Sequence, residues 1–456
     1  PDLPRLGQAA AWFNADNQGR TGARPQCGAA QQGRVAYAVM KGRTVTNVTA
    51  AWSTGSPMWR NAAKSAAEAE TWMAQSAASG MAVWYHWLGA QTGLGEDRRW
   101  QETGRRFLQW HARHDRHFAN RRSIATLAVV LAQRTQTFYQ PPAEGGSGEE
   151  VQGFYSSLVE NRIPFDFVHE DDLGPGTLSK YRALILPNAA LLSDAQCRQL
   201  EDYAAAGGSL IATFETSLYD ELGRPRPDFG LARLFGIAKA GPREGSRGFQ
   251  NSFYARLEQK HPLTAGFSNT NWIAGAEWRQ PVRAAGEPLM TVVPPYPAYP
   301  TEITYTETMR TTEPAAAARE NGASRLVYFA GDVGRTYWRS GLPDPGQLLR
   351  NAIEWVLRGE WPVRVEGEGL LEMFAWETAP GFAVHLLNYN NPNFHRGMLR
   401  RHSPVGPQRV RMTLPAGVRV RRAELLSAGV PLRFRQQGAQ LVFEVPRVDA
   451  YEVAAF

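Results

Sequence analysis

Three strand-like apolar runs, each closed by a turn and followed by a helical pattern, constrain the fold of this chain more than any other feature. Ala9–Ala15 (AAAWFNA) is closed by Asp16-Asn17-Gln18-Gly19, Thr44–Trp52 (TVTNVTAAW) by Ser53-Thr54-Gly55, and Met81–Leu88 (MAVWYHWL) by Gly89. Repeated β-then-α units predict parallel strands with helices packed outside them. In such folds the chemistry gathers at the carboxyl ends of the strands. That rule singles out Asp16, Trp52, Tyr85, His86 and Trp87 before any motif is considered.

The intervening helices are legible. Gln31–Lys41 reads as a helix stopped by Gly42. Ser65 and Glu68 have capping-box spacing, an N-cap serine with a glutamate three residues on. The helix they open carries Ala69, Trp72, Met73 and Ser76 on one face and stops at Gly80. A third helix is expected from Asp97 to His114, with Phe107, Leu108 and Trp110 as its apolar content. A closed eightfold β/α barrel needs ~250 residues. Residues 1–122 therefore predict a sector of such a barrel and not a whole one.

Residues 123–360 predict an open, doubly wound α/β domain of flavodoxin-like type. Its strands are expected at Thr126–Leu131, Pro164–His169, Arg182–Pro187, Ser209–Phe214 and Arg325–Ala330. Its helices are expected at Glu149–Glu160, Ser193–Ala206 and Pro345–Leu357. Residues 215–324, rich in Pro, Gly and Tyr, interrupt it and read as long loops with short strands. Residues 361–456 predict a small β-sandwich. Short strand patterns recur there at Phe382–Leu387, Arg409–Leu414, Arg419–Leu426, Leu432–Gln436, Leu441–Val445 and Tyr451–Ala455.

The bulk numbers narrow the function. At 456 residues, a prior of ~150 residues per domain gives about three domains. Apolar residues at 43% and charged residues at 20% describe an ordinary globular protein. The net charge of +7 comes almost wholly from arginine, dispersed along the chain. With no recognised module or aromatic-interleaved basic run, nucleic acid is not an expected partner. No membrane-spanning run is visible. Cys27 and Cys197 make neither a disulfide framework nor a zinc pattern. Pro1 is not an initiator methionine, which suggests a processed or truncated start.

Several segments carry a family resemblance. They are Asp16-Asn17-Gln18-Gly19-Arg20, Ala30-Gln31-Gln32-Gly33-Arg34-Val35-Ala36, Val39-Met40-Lys41-Gly42-Arg43-Thr44, Trp72-Met73-Ala74 and Ala78-Ser79-Gly80-Met81. Trp84-Tyr85-His86-Trp87-Leu88-Gly89 and the stretches Asn120-Arg121-Arg122-Ser123 and Gln133-Arg134-Thr135 complete the set. Together with the three-region order, they resemble the beta-galactosidases that carry a trimerisation domain, and their glycosidase-like relatives. The resemblance implies the end of a (β/α)8 barrel in residues 1–122. It implies a flavodoxin-like domain, related to class I glutamine amidotransferases, in 123–360, and a small β-sandwich in 361–456. It further implies a β-galactoside or related oligosaccharide as substrate, carboxylate acid/base chemistry without cofactor or metal, and a homo-oligomer, a trimer by type. The family places its nucleophilic carboxylate at the end of the seventh strand. If the three strands are the sixth to eighth, that place falls at Ala51-Trp52-Ser53, where no acid stands. The partner acid of the fourth strand would lie before Pro1.

Each candidate has a plainer reading beside it. Glycoside hydrolysis normally uses two carboxyl groups across the scissile bond. Asp16 is the one acid placed at a strand's carboxyl end, as base, nucleophile or sugar ligand; the plain alternative is an Asx turn. Asn17, Gln18 and Arg20 are candidate sugar hydrogen-bonders. His86 is expected to donate to a sugar hydroxyl or orient an acid, against a satisfied core histidine. Trp52 and Trp87 are candidates for a stacking platform, with Tyr85 beside them, against apolar packing. Glu68 is explained by its cap and Glu70 by solvent. His111, His114 and His117 sit at the end of an outer helix, where cations complement the helix dipole, so metal is not expected. The turn Pro187-Asn188-Ala189-Ala190 lacks the cysteine an amidotransferase would carry. A non-catalytic carbohydrate-binding or assembly protein is the rival reading.

Overall fold

The computed structural model describes residues 3–18, 27–53, 58–88, 97–118, 121–141, 146, 148–246, 248–390 and 399–456. The chain is mixed α/β with several separate sheets, none of them a closed barrel among the described residues. It divides into two compact units. One comprises Pro1–Ala125, Arg162–Phe167 and Trp361–Phe456; the other comprises Thr126–Asn161 and Val168–Glu360.

The first unit begins with α1 (Leu3–Ala9), β1 (Trp12–Asp16), α2 (Gly28–Met40) and β2 (Thr44–Ala50). The chain then turns back through a small hairpin, β3 (Trp52–Ser53) and β4 (Trp59–Ala63), before α3 (Ala66–Ser79), β5 (Ala82–His86) and α4 (Arg99–Arg113). Strands β1, β2 and β5 form one parallel sheet in that order, with Asp16 opposite Val48 and Ala50 opposite His86. The single run expected over Thr44–Trp52 is thus broken at Ala51, and Trp52 pairs antiparallel with Ala63. Neither α1 nor β4 was expected.

Side-chain direction alternates with the pleat. Phe13, Ala15, Val45, Asn47, Thr49, Val83 and Tyr85 turn to the helices, while Trp12, Asn14, Asp16, Trp84 and His86 turn to the open face. Ser65 caps α3 by accepting from the Glu68 N–H at 3.3 Å, and Gly80 ends it in the left-handed conformation (φ 98°). Only half of the expected box forms. The Glu68 carboxylate instead accepts from Trp72 Nε1 at 2.9 Å and from the Leu399 N–H at 2.5 Å. It is buried and fully occupied, a structural role.

Two antiparallel sheets complete this unit. The strands Val363–Glu366, Gln408–Thr413, Gln440–Val445 and Phe434–Gln437 make one. Leu371–Thr378, Gly381–Asn388 and Tyr451–Ala455 are the long strands of the other. Val410, Met412 and Phe443 from the first share one core with Met373, Val384 and Leu386 from the second. Of the expected strand Arg419–Leu426, only Glu424–Leu425 pairs.

The second unit is built on a nine-stranded sheet. Leu127–Leu131, Ala183–Leu186, Ser209–Thr213 and Ser324–Phe329 run parallel as neighbours, with the strand that ends at His169 at the edge beside Leu127–Leu131. In chain order the five read 2-1-3-4-5 across the sheet. The central strands Leu127–Leu131, Ala183–Leu186 and Ser209–Thr213 are near-continuous apolar runs, as strands covered on both faces must be. The interrupting stretch expected as loops and short strands does more. Pro314–Asn321, Met290–Val293, Phe253–Leu257 and Trp272–Ala276 extend the same sheet as antiparallel strands. The helix Asp194–Ala205 opens with a complete capping box between Ser193 and Gln196.

Within this unit the Glu150 carboxylate closes the first turn of the helix Val333–Ser340. It accepts from the Gly334 and Arg335 N–H groups at 3.2 and 2.7 Å. Burial, with the charge of Asp332 beside it, nonetheless raises its pKa from 4.5 to about 7. An acid whose folded pKa lies above its unfolded one binds the extra proton in the native state. It therefore subtracts stability as pH rises between about 4.5 and 7, and the loss is complete above 7. Denaturant unfolding of Glu150→Gln, compared with the parent chain at pH 5 and pH 8, should show a smaller loss on going to pH 8. An unchanged difference between the two pH values would contradict this.

Candidate functional site

The register brings Asp16 and His86 to the same end and the same face of the three-stranded sheet. Their backbones lie two strands apart and two residues out of register, roughly 11–12 Å. Asp16 is exposed and accepts from Gln18 Nε2 at 3.1 Å. His86 is partly buried against Trp52, ring edge to face at 4.6 Å, with the exposed Trp84 indole 6.3 Å away. Asp16 is the one acidic residue on this face of the three strands.

The electrostatics of His86 follow from these neighbours. Burial lowers its pKa most; Asp16 pulls upward, and the cations Lys64 and Arg60 push down again. The net shift is downward, so the imidazole is neutral near pH 7. Its Nε2 is buried without a hydrogen-bond partner among the described residues, and so is Nε1 of Trp52. Buried polar atoms left unpaired are uncommon and mark positions where a ligand group or water completes the bonding. A neutral histidine, a carboxylate and an exposed indole side by side suit a polyhydroxylated ligand. A histidine and a carboxylate can exchange hydrogen bonds with hydroxyls, and an indole can cover an apolar ring face.

Other expected residues are placed differently. Trp52 is 1% exposed, which makes it a wall and not a platform, with the Arg60 guanidinium 5.5 Å from its ring centre. Asn17 turns inward, where its Nδ2 donates to Asn47 Oδ1 at 2.8 Å and to Gln32 Oε1. Tyr85 points at α4, where a side chain at Gly104 would collide with its ring. Trp87 stacks on Trp100 of α4 at 5.5 Å. The structure does not bring Tyr85 or Trp87 to the face that carries Asp16 and His86. Arg20 lies outside the described residues. Glu70 pairs with Arg106 of α4.

Three neighbours were missed by reading the sequence. Lys64, buried, donates to the Gln18 carbonyl at 2.5 Å and so ties the hairpin to the end of β1. Arg60 arrives on the same hairpin. Trp84 was given no role. The signal for the first two was the short Trp59–Lys64 stretch, whose strand character lay in its pairing with Trp52 and not in its own composition.

At the turn Pro187-Asn188, after the strand Ala183–Leu186, Asn188 adopts a left-handed conformation (φ 43°). Its side chain accepts from the Glu215 N–H at 3.2 Å, and its own N–H donates to Thr213 Oγ1 at 2.9 Å. No group of three or more His, Cys, Asp and Glu suited to a metal occurs among the described residues.

Comparison with known proteins follows the same lines. Residues 125–237 match the family model of the beta-galactosidase trimerisation domain. No curated protein sequence matches the chain. Among solved structures, alpha-L-fucosidase isoenzyme 2 from Paenibacillus thiaminolyticus superposes with a TM-score of 0.74 at 19% identity, over 99% of this chain and 65% of that one. The beta-galactosidase from Bacillus circulans sp. alkalophilus gives 0.70 at 15%, over 99% and 61%. The beta-galactosidase from Rahnella sp. R3 gives 0.66 at 14%, over 99% and 61%. The likeness read from sequence to beta-galactosidases with a trimerisation domain is thus met at the level of fold, and by the family model in residues 125–237. The chain spans less than two thirds of the length of these structures.

Proposed function

We propose, from a fold held in common with these glycosidases, that this chain is a glycoside-hydrolase-like protein acting on β-galactosides or related oligosaccharides. Residues 1–122 would be the closing sector of a (β/α)8 barrel. Residues 123–360 would be a flavodoxin-like, amidotransferase-related trimerisation domain, and residues 361–456 a β-sandwich. The 2-1-3-4-5 strand order supports the middle assignment. The protein would assemble as a homo-oligomer, a trimer by type.

The observation that carries the proposal is the meeting of Asp16 with a neutral His86 at the carboxyl ends of three parallel strands, the end where such folds do chemistry. In this reading Asp16 acts as base or nucleophile, or ligates a sugar hydroxyl. His86 Nε2 bonds a second hydroxyl, Gln18 holds the Asp16 carboxylate, and Trp84 offers a stacking face. Arg20 remains a candidate sugar contact from the segment that follows Asp16, whereas Asn17 is turned inward. The test is turnover of nitrophenyl β-galactoside by the purified chain. Asp16→Asn should lower kcat by about 10²–10⁴-fold. Turnover that survives this change at the parent rate would refute the role of Asp16.

One observation favours a second reading. No acid stands at Ala51-Trp52-Ser53, and Trp52 is buried there, so a chemical pair is not supplied by the three strands alone. A carbohydrate-binding or assembly protein would bind oligosaccharide without turning it over. Calorimetric binding with no release of nitrophenol would establish that alternative.

A further inference from the structure

A second hollow in the first unit lies at the opposite end of the same strands. Thr44 and Ala82, where β2 and β5 begin, line it, and it encloses about 420 Å³. Small-molecule sites run from ~300 to ~1,000 Å³, so a hexose-sized ligand fits. Its walls are aromatic, from Phe118 and Trp376. The Trp376 N–H is already used, donating to the Ala78 carbonyl at 2.8 Å, so the indole presents only its apolar surface.

The charges in this hollow are unbalanced. Arg121 lies beside both rings, 5.5 Å from the centre of Phe118 and 5.7 Å from that of Trp376. Its NH1 donates to the Ala77 carbonyl at 2.5 Å. Among the described residues this is the one hydrogen bond of a five-donor group, and no carboxylate pairs with it. Desolvation is strong enough to pull its pKa down to about 10. Arg43, at the rim, donates through NH1 to the Gln8 and Ala10 carbonyls at 2.7 and 2.6 Å, and it too has no ion-pair partner among the described residues. A half-buried cation short of acceptors is costly unless an anion supplies them.

Asp115 and His111 restrict the anion. Both line the hollow, and burial together with Arg121 keeps His111 neutral. The Asp115 carboxylate would repel a dianion but accepts hydroxyl hydrogens. We propose that this pocket binds a small polyhydroxy carboxylate, a sugar acid, with its carboxylate on Arg121 and Arg43 and its hydroxyls on Asp115 and His111. The site is separate from the Asp16–His86 rim and does not depend on that reading.

Isothermal titration of the chain with galacturonate tests the assignment, with galactose and inorganic phosphate as comparison ligands. Galacturonate should bind saturably, and galactose about tenfold more weakly or less. Arg121→Gln should weaken galacturonate about tenfold, the scale of one charge-assisted contact. Arg43→Gln, exposed and so without risk to the core, should weaken it by a smaller factor. Asp115→Asn should shift the preference towards phosphate. The proposal is overturned if galacturonate gives no saturable heat at millimolar concentration, if galactose binds equally, or if phosphate binds more tightly to the parent chain. It is also overturned if Asp16→Asn abolishes galacturonate binding while Arg121→Gln and Arg43→Gln leave it intact.

Discussion

Methionine in place of Arg34 should lower the stability of the first unit by about 3–5 kcal/mol, the penalty for leaving one buried charge without its partner. Arg34 and Glu372 are 5% and 0% exposed and form an ion pair at 3.1 Å. The guanidinium also donates to the Phe165 carbonyl at 2.5 Å and the Met373 carbonyl at 3.0 Å. It is flanked by the rings of Phe165 and Phe374, at 4.1 and 3.7 Å. The second Glu372 oxygen accepts from Tyr389 Oη at 2.6 Å. Lysine cannot replace this planar fork, so Arg34→Lys should recover little. Removing both charges, as Arg34→Met with Glu372→Leu, should recover most of the loss, since a buried pair is often no better than well-packed apolar residues. Urea unfolding of the three variants measures it. A single Arg34→Met change that costs less than about 1 kcal/mol, the scale of an exposed pair, would show that Glu372 is not buried as described.

Alanine at Gly153 is the second large expected effect. A Cβ built there would lie 1.9 Å from the Gly334 carbonyl oxygen and 2.4 Å from its carbon. The helix Gly148–Glu160 therefore crosses the helix Val333–Ser340 backbone to backbone. The opposing atoms are main chain, so no rotamer change relieves the clash. The helices must separate, and the two hydrogen bonds from Gly334 and Arg335 to Glu150 stretch with them. Overpacking of this kind typically costs 1–3 kcal/mol, and a rigid obstacle places it at about 3. For a domain of this size that lowers Tm by about 6–12 °C. Alanine is also the better helix former by about 1 kcal/mol. A rise in Tm for Gly153→Ala would therefore mean that this crossing is looser than the geometry requires.

These two positions show how unevenly the sequence speaks. Gly153 in a helical pattern reads as a weak spot, and nothing nearby announces that another helix needs its missing side chain. Arg34 falls among the polar residues of α2, yet it is buried against a glutamate 338 positions away. At the candidate site the contrast repeats. That Asp16 and His86 share one end of the sheet was legible because turns close their strands, and parallel strands put their carboxyl ends together. Arg60, Lys64 and the inward turn of Asn17 were not found, because each depends on which side chains a hairpin or a pleat brings within reach.

The sequence by itself determined the local elements. Apolar runs of five or so residues, capping serines, and the stop at Gly80 act over a few positions and need no distant partner. It also determined the parallel sheets, since strands alternating with helices close in few other ways. The tertiary structure alone decided where charge is buried and which polar atoms stay unpaired. It put Tyr85 and Trp87 behind the sheet, and it joined four strands of the stretch read as long loops with short strands to an existing sheet. Those outcomes depend on contacts between segments far apart in the chain. Desolvation and packing are set by the neighbours that the fold supplies, not by the neighbours in sequence.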